Sequence, residues 1–258
     1  MERSRSQALR HSLSFHPRPS NRLRFISSVV VTVLFGGLGP LLGAAGLTFA
    51  GEREARQSTD FIPDGYVVFE ESKGDLNKDG REDHVFVIKG TDKSKRVSDE
   101  YRGDLDRNRR GLIIAFAEGD KYRLTLRNLD CFSSDQEDGG VYFPPDLGVM
   151  IDKGNLVVSY GHGRYGYWSY TFRYQHGGFE LIGYDNSEHF GPIIKRQTSI
   201  NFSTARMLTR ENLNPDDDGG EERFEEHWAS FKRTQSIQLA EIHDFDELHV
   251  EALLKRVE

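Results

Sequence analysis

A mainly β fold, an antiparallel meander closed as a sandwich or barrel-like sheet with a short α-helical C-terminal segment, follows from three features of the sequence. Short runs rich in Val, Ile, Phe and Tyr recur between Gly-, Asn- and Asp-bearing turns. Several links between runs are too short to hold a helix, so the runs they join pair antiparallel. Apolar and polar residues alternate within the runs, which is the period of a half-buried strand.

Residues 51–61 are mostly polar and read as a linker, with a single β-rich domain and C-terminal helices over 62–258. Strands are expected at 65–70, 84–89, 112–117, 121–127, 155–160, 167–175, 178–184, 198–203, 206–210 and 235–242. Glu118-Gly119-Asp120, His176-Gly177-Gly178 and Thr204-Ala205 supply tight turns between successive runs. In 167–175, Trp168, Tyr170, Phe172 and Tyr174 share one face and Ser169, Thr171 and Arg173 the other. The aromatic face is a core wall in the simpler reading and a sugar platform in the sharper one. The following strand places Phe179, Leu181 and Gly183 together. Residues 221–232 carry Phe224, Trp228 and Phe231 at helical spacing. Asp244 and Glu247 form the start signal of a second helix, with Leu248, Ala252, Leu253 and Val257 on its apolar face.

Six Arg residues precede an uncharged run from Phe25 to Ala50, and Thr48-Phe49-Ala50 ends it with small residues before Gly51. That order is the signature of a secretory signal peptide cleaved after Ala50. The run is also long enough for an uncleaved membrane anchor, although its glycines disfavour a persistent helix. The expected location is therefore periplasmic or secreted, with membrane contact only if the segment is retained. Residues 1–50 hold six of the 34 basic and one of the 41 acidic residues, leaving 28 against 40 and a net charge of −12. Nucleic acid is excluded as a partner, since phosphates demand clustered Lys and Arg. Cys131 is the only cysteine, so no intramolecular disulfide is available and the core must hold the fold.

Residues 75–83, Asp-Leu-Asn-Lys-Asp-Gly-Arg-Glu-Asp, place oxygen donors at alternate positions. Asp75, Asn77 and Asp79 offer side-chain oxygens, Arg81 its backbone carbonyl, and Asp83 a further carboxylate directly or through water. Gly80 stands where such a loop turns sharply. Position twelve of an EF-hand would need a bidentate Glu; here it is Phe86, inside a strand-like run. The loop resembles the DxNxDG and DxDxDG loops of dockerins, FG-GAP repeats and many exported bacterial β proteins. The resemblance implies a bound Ca2+ of structural rather than catalytic role. An Asx-rich turn without an ion explains the same residues.

Residues 161–168, Gly-His-Gly-Arg-Tyr-Gly-Tyr-Trp, form the best surface candidate for a ligand, through His162, Arg164, Tyr165, Tyr167 and Trp168. A carbohydrate or an envelope protein suits donors beside aromatic rings; a plain hairpin loop is the alternative. Asp104 to Gly111 echoes a calcium loop but lacks Gly at its sixth position and carries three Arg, so it reads as an exposed loop. The acidic stretch 214–220 reads as solvated. No HExxH or paired His spacing marks a zinc site. Across 60–250, DLNKDG, NRRG, DCFSS, GHGRYGYW and FELIGYD together resemble a group of exported proteins of Gram-negative bacteria. That resemblance implies export and a β fold, and carries over no catalytic residue. The expected role is a non-enzymatic binding or structural module of the cell envelope, the rival being an envelope-acting hydrolase using Cys131 and His162.

Overall fold

Alternating apolar side chains sort the chain into two antiparallel sheets that share one core. The computed structural model describes residues 53–137, 144–215, 222–233 and 235–256. The first sheet holds β1 (Glu54–Ala55), β2 (Tyr66–Gly74) and β3 (Asp83–Gly90). The hairpin β4 (Arg96–Asp99) and β5 (Gly103–Asp106) stands apart as a sheet of two strands. Next come β6 (Arg110–Glu118) and β7 (Lys121–Phe132), giving the first sheet the order β1-β7-β6-β3-β2.

The second sheet is an uninterrupted meander in which every strand pairs with its neighbour in sequence. It comprises β8 (Asp146–Asp152), β9 (Asn155–Gly161), β10 (Gly166–Gln175) and β11 (Gly178–Phe190). It continues through β12 (Ile193–Asn201), β13 (Arg206–Asn212), β14 (Phe224–Lys232) and β15 (Lys255–Arg256). Neither sheet closes into a barrel. The described residues belong to one compact unit.

Between the sheets lie Val85, Val87, Leu112, Ile114 and Phe116 from the first and Leu156, Val158, Tyr170, Phe172 and Leu181 from the second. The opposite face of the first sheet packs a smaller cluster, in which Phe61 covers Phe86, Ile88, Ile113 and Ala115. Phe172 is fully buried, and burying a Phe side chain contributes roughly 1.5–3 kcal/mol. The aromatic ladder of β10 is thus the core wall expected of it, with Trp168 and Tyr174 packed on its margins.

Several expectations are corrected. Residues 53–61 are no linker: β1 pairs with β7, and a 3₁₀ turn at Ser58–Phe61 buries Phe61. Residues 224–232 are strand rather than helix. The free edge of β13 supplies a backbone partner for each residue from Phe224 to Ser230, while Phe231 turns into the core against Phe202. The helix expected from Asp244 is replaced by a 3₁₀ turn at Val250–Leu253. Phe245 explains this: its N–H donates to the Cys131 carbonyl at 3.0 Å and its ring packs on Phe132 and Tyr170. Residues 235–242 make one isolated bridge, Gln238 to Glu180, and a 3₁₀ turn at Leu239–Glu241. Gly183 does not share a face with Phe179 and Leu181. A bulge at Ile182 shifts the register, so Tyr184 takes the core side opposite Tyr170. The segment 104–111 belongs in part to β5, with Leu105 buried. Residues 1–52 and most of the acidic stretch 214–220 lie outside the described residues.

Candidate functional site

The loop between β2 and β3 is shaped by its own side chains. Asp75 accepts from the N–H of Asp79 at 3.1 Å through Oδ1 and from that of Gly80 at 2.9 Å through Oδ2. Asn77 Oδ1 accepts from Asp79 N–H at 3.0 Å, and Asp79 Oδ1 from Arg81 N–H at 2.9 Å. Lys78 and Gly80 adopt φ of 65° and 84°, the left-handed conformation that turns the backbone inward on itself and that glycine tolerates without penalty. Asp75, Asn77 and Asp79 therefore gather around one short loop, each oxygen retaining a lone pair.

Asp83 behaves differently. It has no exposed surface; Oδ2 accepts from Leu76 N–H at 2.9 Å and Oδ1 from Ala117 N–H at 3.0 Å. Burial pushes its carboxyl above the usual range, opposed by backbone donors at Leu76, Ala117 and Asn77 and reinforced by the nearby Asp79 charge. Leu76, 1% exposed, plugs the core from within the loop. Asp83 thus ties the loop to β6 rather than facing a ligand with the other four donors. Among the described residues no three or more His, Cys, Asp and Glu side chains converge on one point. What fits a hard cation here is Asp75, Asn77, Asp79 and the Arg81 carbonyl, with water completing a shell of six to eight oxygens.

The second candidate lies at the β9–β10 connection. Gly163–Tyr165 forms a 3₁₀ turn, closed by His162 N–H donating to the Gly166 carbonyl at 2.8 Å. Gly166 has φ of 108°, and a Cβ there would lie 1.7 Å from the Ser187 carbonyl oxygen, so only glycine fits. His162, Arg164 and Tyr165 line an open cleft of about 340 Å³ together with Pro144 and Asp146. Tyr167 points to the solvent side of the second sheet, edge-on to His189. Trp168 points the other way and stacks on Tyr160 at 5.2 Å, so it belongs to the core margin and not to the cleft.

Cys131 ends up in β7 with no exposed surface, and burial pushes its thiol pKa upward. A sulfur so placed meets no substrate, and the structure does not bring it together with His162. Sequence reading missed a polar cleft of about 590 Å³ bordered by the β4–β5 hairpin and lined by Tyr66, Lys95, Arg107, Asn108, Arg109 and Asp130. Its only signal was the charge density of residues 104–110. Also unforeseen are two buried cations at one end of the core. Lys89 pairs with Asp135 at 2.6 Å and Asp106 at 3.4 Å, while Arg110 donates through Nε to the Ser133 carbonyl at 2.9 Å.

The chain matches no family model, no curated protein and no solved structure. Among the described residues, no helix is long and apolar enough to cross a membrane.

Proposed function

We propose that this chain is an exported, non-enzymatic binding or structural module of the cell envelope, a β-sandwich whose Asp75–Arg81 loop holds one structural calcium ion. The observation that carries the reading is the loop itself. Asp75, Asn77 and Asp79 project oxygens from a backbone already bent at Lys78 and Gly80, and the loop's own N–H groups fix the carboxylates. With two carboxylates and no bidentate Glu, affinity belongs at the weak end, roughly 0.1–1 mM, typical of extracellular modules. Bound there, the ion would clamp the hairpin whose Leu76 seals the core.

Isothermal titration with Ca2+ tests this. One site is expected, absent when Asp75→Ala and Asp79→Ala are combined; a calorimetrically silent native protein contradicts it. Export is a separate part of the proposal and rests on the order of the N-terminal residues. Intact-mass measurement of the exported form should give a chain starting at Gly51, and finding residues 1–50 attached rejects cleavage. A non-enzymatic role is supported by the burial of Cys131, which removes the one sulfur nucleophile.

A further inference from the structure

The strand registers of the second sheet set side chains in rows on its solvent side. One row runs Ser159, Ser169, Asp185, Ser199, Leu208 and Trp228, one residue from each strand from β9 to β14. Tyr167 and Arg210 lie in the row on one flank, Thr171 and Arg206 in the row on the other. Two aromatic rings are about half exposed at separate points of this surface, Tyr167 at 49% and Trp228 at 53%. They lie on β10 and β14, four strand spacings apart, which is about 19 Å.

Charges of both signs stand on this face, Arg173, Arg206 and Arg210 with Asp185 and Glu226. Arg210 pairs with Glu226, Nε to Oε1 at 3.2 Å, and donates to Gln197 at 2.9 Å. Arg206 lies over the Trp228 indole at 4.5 Å, and among the described residues no carboxylate pairs with it. Asp185 is exposed and has no cationic partner among the described residues. A polyanion on this surface would meet Asp185 and Glu226, and a polycation would meet Arg206 and Arg210. An uncharged polyol meets donors and acceptors interleaved with hydroxyls, and aromatic faces for its C–H surfaces.

We propose that the solvent face of β9–β14 binds an extended, uncharged polysaccharide laid across the strands between Tyr167 and Trp228. This rests on the reading of the chain as a binding module and moves its principal contacts from the 162–165 turn to the sheet. Trp228 and Tyr167 supply stacking platforms, Arg206 donates to ring or hydroxyl oxygens, and Asp185 accepts from hydroxyls.

The sequence has two Trp residues, so Trp168→Phe leaves Trp228 as the sole indole reporter. The full chain in this form is titrated with β-1,4-linked hexaoses of glucose and of N-acetylglucosamine, with polygalacturonate and polylysine as charged controls. Calorimetry on the unsubstituted chain runs in parallel in case Trp168→Phe disturbs the core. A change in indole emission with at least one neutral hexaose is expected. Trp228→Ala and Tyr167→Ala should each weaken binding about fivefold to tenfold without altering the melting temperature. Absence of binding by both hexaoses, binding untouched by Trp228→Ala, or preference for either charged polymer overturns the proposal. The calcium reading fails in a calcium titration and this one in a sugar titration, so the two failures are distinguishable.

Discussion

Asp83 Oδ2 accepts a hydrogen bond from Leu76 N–H at 2.9 Å, so a carboxylate without exposed surface anchors the one loop residue that enters the core. The same carboxylate holds Ala117 N–H on β6. Asp83→Ala leaves both donors without an acceptor and should cost about 2–4 kcal/mol. Urea unfolding measures it. A loss below about 0.5 kcal/mol would mean that water replaces the carboxylate freely.

Protonation should act on this protein with two opposite signs. The Asp83 carboxyl is pushed up by burial, so its contribution is fully present below the unfolded value of 3.8 and is lost as pH rises through the higher folded value. Glu180 goes the other way. Burial pushes it up, but Gln175, Ser236 and Arg233 outweigh burial and hold it below its usual 4.5. Its stabilisation is present above 4.5 and lost as pH falls through the lower folded value. Urea unfolding of Asp83→Asn across about pH 3–8 should lack the component that declines with rising pH and keep the acid-side loss. An unchanged profile contradicts the assignment to Asp83.

Arg233 and Gln175 both donate to Glu180, whose side chain is 9% exposed. Arg233→Ala should destabilise by about 1–3 kcal/mol. This is less than for a fully buried pair, because Arg233 keeps 29% exposure and Gln175 remains. Thermal melts at neutral pH and at about pH 3 check it. The difference between variant and native protein should shrink in acid, and an equal difference at both would remove the ion pair as its cause.

Cys131 sits in the shared core beside Phe132, with its thiol held protonated by burial. Native protein should resist iodoacetamide and react only after unfolding in denaturant. Alkylation of the native protein at the rate of an exposed thiol would reopen a nucleophilic role for this residue.

Much of the fold was legible because hairpins leave local marks. The alternation in β10 and the turns at Gly119 and Gly177 specify antiparallel partners without knowledge of the rest of the chain. Phe224 and Trp228 misled because a spacing of four residues suits one face of a strand as well as one turn of a helix; Phe231, three residues further, takes the opposite face and enters the core, and only the open edge of β13 decides. The Ile182 bulge, which reverses Gly183 and Tyr184, leaves no signal in its own residues. It follows from how β10 and β11 fit together. At the candidate site, Asp75, Asn77 and Asp79 were readable from spacing. The inward turn of Asp83 was not, since its partners Leu76 and Ala117 are set by the packing of β3 on β6. Likewise Trp168 and Tyr167 are neighbours in sequence but face opposite sides of a sheet.

Thermal unfolding of the native protein in millimolar calcium and again in excess chelator tests the metal reading most directly. A higher melting temperature is expected with calcium, and no such difference once Asp75→Ala and Asp79→Ala are combined. Superimposable melts of the native protein in the two conditions would contradict it.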